Sequence, residues 1–87
     1  MLLLNKPRGP GAYPDRDIGC QEALEQAFLD IAKGMTPDNI VETASGRLPQ
    51  PLIRLTREAE KVGWSLEEAE VALSELAQNL LDDMAAM

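Results

Sequence analysis

The stretch that decides the fold is Lys61-Val62-Gly63-Trp64-Ser65-Leu66-Glu67-Glu68-Ala69. It carries two opposed instructions. Apolar residues recur at Leu52, Leu55, Ala59, Val62, Leu66, Ala69, Leu73, Leu76 and Leu80 in unbroken steps of three and four, as on one long amphipathic helix. Gly63 argues for an interruption, because glycine costs about 1 kcal/mol inside a helix and is favoured just past a helix end. Ser65 with Glu68 forms the S-x-x-E capping box, in which each side chain accepts from the other residue's backbone N–H. Trp64 before the cap and Ala69 behind it hold the positions of a hydrophobic staple. These signals predict a break between Gly63 and Trp64. One continuous helix is the alternative, and a helix of that length would demand a partner chain.

Beyond the break, residues 65–87 read as an amphipathic helix over about 66–86. Ala72, Ala77, Met84 and Met87 widen its apolar stripe, whereas Glu67, Glu70, Ser74, Glu75, Gln78 and Asp82 take the other side, with Val71 near them. Glu67, Glu68 and Glu70 place negative charge at the positive end of the helix dipole.

Before the break, Pro51 opens a helix over 51–62 with Leu52, Leu55, Ala59 and Val62 inward and Arg54, Arg57 and Lys61 roughly opposite. Thr36-Pro37 is a cap followed by a helix-starting proline, predicting a short helix over 37–45 with Ile40, Val41 and Ala44 as its apolar edge and Gly46 as its end. Upstream, Leu24, Ala27, Phe28, Ile31 and Met35 share a face with Cys20, predicting a helix over 16–33, capped by Asp15 or Asp17 and stopped by a left-handed Gly34. Ile18 and Leu29 fall off that face and suggest a second packing surface. Residues 1–14, rich in proline and glycine, read as a flexible N-terminal arm whose leucines would otherwise dock in a groove.

The expected fold is therefore all-α: a small bundle of three to four helices in a single domain over 15–87, preceded by the arm. At 87 residues with 45% hydrophobic content, and Tyr13, Phe28 and Trp64 as the aromatics, the core must be thin and aliphatic. Cys20 as the single cysteine fits a reducing compartment, and Met1–Leu4 is too short an apolar run for a secretory leader, so a cytoplasmic location is expected.

Chemistry is sparse. Histidine is absent, so the commonest general base and metal ligand is missing. Cys20 has no base to activate it. Asp82 and Asp83 are adjacent and diverge by about 100° on a helix. Asp15-Arg16-Asp17 lacks the rest of a calcium loop, and no glycine-rich phosphate loop occurs. An acyl carrier protein would need an Asp-Ser-Leu motif at an internal helix start; Thr36-Pro37-Asp38 stands there instead. No catalytic residue, cofactor, metal or small-molecule substrate is expected. The Lys61–Ala69 stretch resembles the Gly-aromatic loop of ubiquitin-associated domains, but ordinary turn and cap rules also generate it, and ubiquitin binding is not carried over.

The net charge of −7 disfavours nucleic acid and anionic membranes. The charge is uneven: residues 65–87 are acidic without a base, whereas 47–61 holds Arg47, Arg54, Arg57 and Lys61 against Glu58 and Glu60. A helix-turn-helix reader is disfavoured, since its recognition helix would be the acidic one. What remains is helix-mediated association. Leu73, Leu76, Leu80, Leu81, Met84 and Met87, anchored by Trp64, are the expected partner contacts in a homodimer or on another protein. The competing reading is an acidic antitoxin-like or DNA-mimic regulator whose carboxylate face binds a basic protein.

Overall fold

Gly63 does interrupt the helix. In the computed structural model, which describes residues 4, 6, 7, 9 and 15–86, it adopts φ 117°, a left-handed conformation natural to glycine. The Gly63 N–H donates to Glu60 O at 3.1 Å and the Trp64 N–H to Ala59 O at 3.1 Å, the paired bonds of a Schellman end. Trp64 and Ala59, the two residues joined by the longer loop of that motif, are both buried. The next helix starts immediately, Ser65 Oγ accepting from the Glu68 N–H at 3.1 Å.

The described residues form four α-helices and no strand: α1 (Arg16–Ala32), α2 (Pro37–Ala44), α3 (Gln50–Val62) and α4 (Leu66–Ala85). Their ends fall within a residue or two of those expected from caps and periodicity. Thr36 Oγ1 accepts from the Asn39 N–H at 3.2 Å, with Pro37 in the first turn. Gly46, φ 97°, closes α2 with the same pair of bonds as Gly63: its N–H donates to Thr43 O and that of Arg47 to Glu42 O.

Gly34 corrects the expectation of a left-handed stop. It lies outside the positive-φ region, and α1 ends in a tightening turn in which Gly34 N–H donates to Ile31 O and Met35 N–H to Ala32 O, both at 3.0 Å. The chain then extends at Thr36, φ −76° and ψ 158°, to enter α2 without a left-handed residue.

α4 is the central element, packing on α1, α2 and α3. Two links fix its direction against α1: Arg16 Nε donates to Glu68 Oε1 at 2.7 Å and Gln21 Nε2 to Glu75 Oε2 at 2.6 Å. Because both partners advance together, α1 and α4 run parallel. Ser74 Oγ donates to Ala44 O at 2.7 Å, tying the exit of α2 to the middle of α4.

The core contains Leu24 and Phe28 from α1, Ile40 from α2, Leu52, Leu55 and Ala59 from α3, and Ala69, Ala72, Leu73, Leu76 and Ala77 from α4, with Trp64 between the last two helices. Each fully buried leucine or phenylalanine contributes about 1.5–3 kcal/mol. Alanines at 69, 72 and 77 let neighbouring helices approach α4 closely. Two core-facing threonines were not foreseen. Thr43 Oγ1 donates to Asn39 O at 2.8 Å and Thr56 Oγ1 to Ile53 O at 2.6 Å, so each is satisfied by its own helix.

Leu29 packs on this core, whereas Ile18 and Val41 are exposed. From the N-terminal segment, Leu4 is half-buried against the core. The rest of the expected arm, at positions 1–3, 5, 8 and 10–14, and Met87 lie outside the described residues.

Gly63 and Gly34 make a discriminating pair. A Cβ on Gly63 would meet Pro7 Cδ at 3.1 Å and would sit on a left-handed backbone; one on Gly34 would meet only Ile31 O at 3.7 Å. Gly63→Ala should lower the unfolding free energy by about 1–2 kcal/mol in urea titration. Gly34→Ala should leave it unchanged or raise it by up to about 1 kcal/mol.

Candidate functional site

The residues expected to meet a partner divide sharply. Trp64 is 3% exposed, Leu73 0% and Leu76 8%, so these three are spent on the chain's own core. Leu80 and Leu81 are half-buried at its margin, and Met84 is 40% exposed. The division follows position along α4, the longest helix: coverage falls from Leu73 and Leu76 in its middle to Met84 near its end. Asp82 and Asp83 are exposed in the same turns, and Gln78 Nε2 donates to Asp82 Oδ1 at 3.1 Å. No basic residue stands in the last turn of α4.

At the opposite end the bundle is closed by a polar clasp that the sequence reading missed. The Arg16 guanidinium lies 5.2 Å from the centroid of the Trp64 ring. Its Nη1 donates to Gly9 O at 3.2 Å, and its Nε makes the short bond to Glu68. One side chain thus joins the N-terminal segment, the start of α1 and the corner between α3 and α4. The Glu68 half of the capping box is diverted by this pairing: Oε1 goes to Arg16, and Oε2 is buried without a hydrogen-bond partner. Only the Ser65 half of the expected reciprocal box forms. The partners are 52 residues apart in sequence, which no local motif reports.

Cys20 lies beneath this clasp, fully buried. Burial pushes its thiol up from 9.0 to about 11; the Glu68 carboxylate adds to the rise and Arg16 opposes it. Such a thiol stays protonated near neutral pH and is a poor nucleophile. Among the described residues no group of three or more His, Cys, Asp or Glu is placed to hold a metal ion, and no helix is long and apolar enough to cross a membrane.

A third feature lies on α3. Arg54 and Arg57 are exposed and make no ion pair with a described carboxylate, whereas Lys61 Nζ sits 3.1 Å from Glu58 Oε1. Beside Arg57, Leu48, Ile53 and Leu66 line a shallow groove of about 370 Å³ between α3 and α4. Leu66, placed on the inward stripe by its spacing, is 43% exposed and lines this groove at the first turn of α4.

Comparison of the chain with protein-family profiles, with curated proteins and with solved structures gave no match.

The Cys20 thiol supplies a pH test with a definite sign. Its folded pKa lies above its unfolded one, so its contribution to stability is complete below about pH 9 and is lost as the pH rises through about 11. Between about pH 8 and pH 11 the wild type should lose about 2–3 kcal/mol more unfolding free energy than Cys20→Ala, measured by urea titration.

Proposed function

We propose that this chain is a small, non-catalytic, acidic interaction module that self-associates through the last turns of α4. One observation carries the reading. With the core complete, Leu80, Leu81 and Met84 still present apolar surface in a single patch at one end of the molecule. Apolar side chains grouped in one patch, unlike those scattered singly, favour an association surface. Methionine adapts its unbranched side chain to a facing surface, and a two-fold dimer is the commonest way for identical chains to cover such a patch. The buried Cys20 and the lack of histidine favour a role without catalysis. A cytoplasmic setting is part of the proposal, resting on the unpaired cysteine.

The exposed carboxylates of Glu67, Glu70, Glu75 and Asp82 along α4 favour one second reading, an antitoxin-like or DNA-mimic regulator that engages a basic protein. Such binding would weaken steeply with salt. Self-association through an apolar patch would change little.

Sedimentation equilibrium separates the cases. The wild type should be dimeric, and Leu81→Asp or Met84→Asp should return a folded monomer with unchanged helical circular dichroism. Leu76→Asp, placing a charge in the core, should instead unfold the chain, with a cost above about 3 kcal/mol. A wild type that stays monomeric across the concentration range contradicts the proposal.

A further inference from the structure

The corner that closes the bundle has a second layer over it. Gly46 and Gly63 both take a positive φ and end their helices with the same pair of bonds, yet their surroundings differ. A Cβ on Gly46 would meet nothing within 4 Å, whereas one on Gly63 would meet Pro7 Cδ at 3.1 Å and Cγ at 3.2 Å. The Pro7 ring therefore lies on the bare Cα of Gly63, a close approach suited to glycine. Two residues on, the Gly9 carbonyl accepts from Arg16 Nη1 at 3.2 Å; three residues before, Leu4 packs against the core. Leu4, Pro7 and Gly9 are half-buried, whereas Lys6 among them is exposed. An apolar side chain, a proline ring and a main-chain carbonyl each meet a different feature of the folded domain.

Proline-bearing segments are recognised by this kind of chemistry, a ring seated in an aromatic-lined site, and the fixed φ of proline lowers the cost of ordering them. Trp64 brings an aromatic to the corner, and Arg16 brings a donor for the main-chain carbonyl. The guanidinium stands 5.2 Å from the indole centroid and also donates to Gly63 O at 3.4 Å. The hold on the N-terminal segment is light. None of its described residues is helical, and the buried core is drawn from Cys20 to Ala77, with Leu4 only packed against it. Such a segment opens far more readily than the domain unfolds. We infer that the Gly63–Trp64 corner is a docking surface for a proline-bearing segment of another chain. The segment carrying Leu4, Pro7 and Gly9 is its intramolecular occupant, which must leave before the partner's segment enters. Its tether keeps it at high effective concentration, so an incoming segment binds only in proportion to the fraction of chains whose corner is open. The surface lies at the start of α4 and does not depend on the self-association proposed for the other end.

A synthetic peptide of residues 1–14 tests it, added to the full chain and followed by the fluorescence of Trp64, the single tryptophan. Leu4→Asp with Pro7→Asp releases the resident segment, and Pro7→Asp alone is the milder variant that leaves Leu4 in place. The released chain should bind the peptide at least about tenfold more tightly than the wild type, because its corner is already open. Circular dichroism should report intact helices in both variants. A peptide carrying Pro7→Ala keeps its charge and should bind the released chain at least about fivefold more weakly, which separates ring recognition from attraction of a basic peptide to an acidic chain. Equal binding by wild type and released chain, binding by neither, or indifference to Pro7→Ala in the peptide overturns the inference. Unfolding of both variants also overturns it, since the segment would then be part of the domain and not a detachable occupant. A wild-type dimer that dissociates in both variants would show the segment bridging two copies, and overturns the intramolecular assignment.

Discussion

The structure depends on the seating of Trp64 beneath Arg16 at the corner between α3 and α4. Gly63 supplies the backbone reversal, but a reversal alone would leave two helices free to swing apart. Burial of the indole fills the corner, and the guanidinium covers it while reaching Glu68 at 2.7 Å. Because Arg16 opens α1, the same contact sets α1 parallel to α4 and in register with it. A charged clasp at the molecular margin is well suited to this task. It is accessible enough to escape the full desolvation cost of a buried ion pair, yet shielded enough for a charge-assisted hydrogen bond to contribute about 1.5–3 kcal/mol.

The clasp also sets where the helices end. With Arg16 level with Glu68, the 17 residues of α1 run beside 18 of the 20 residues of α4, so the two helices finish nearly level. In the last turns of α4, Leu80 and Leu81 are half-covered and Met84 is exposed, with the exposed Asp82 and Asp83 beside them. Charge is unevenly placed along the chain: α4 carries acids and no base, whereas α3 carries Arg54, Arg57 and Lys61 against Glu58 and Glu60.

Much of this was legible in the chain because it is written locally. Gly63, Ser65 and Thr36-Pro37 act through bonds to residues a turn away, and the structure uses each as the local chemistry dictates. The break at Gly63 overrode an unbroken apolar spacing, which shows that periodicity measures facing, not continuity. What was hidden is non-local. Nothing near Arg16 announces a partner 52 positions away, and the capping-box pattern suggested a different use for Glu68. The fate of individual leucines was equally invisible: Leu66, Leu73 and Leu81 share a stripe, yet Leu73 is sealed, Leu81 half-covered and Leu66 43% exposed. Spacing assigns a residue to a face; only the lengths and angles of the neighbouring helices decide how much of that face is covered. Gly34 adds a smaller lesson, since a glycine after a helix need not turn left-handed where successive tight-turn bonds, here to Ile31 O and Ala32 O, close the helix instead.

The measurement closest to the heart of this account is a double-mutant cycle on the clasp, with Arg16→Ala, Glu68→Ala and the double variant compared by urea titration. If the clasp holds the corner, the two side chains should be coupled by about 1–2 kcal/mol, well above the additivity expected of independent sites. Effects that sum to within about 0.3–0.5 kcal/mol would contradict it, because the corner would then be held by Trp64 burial and the glycine turn alone.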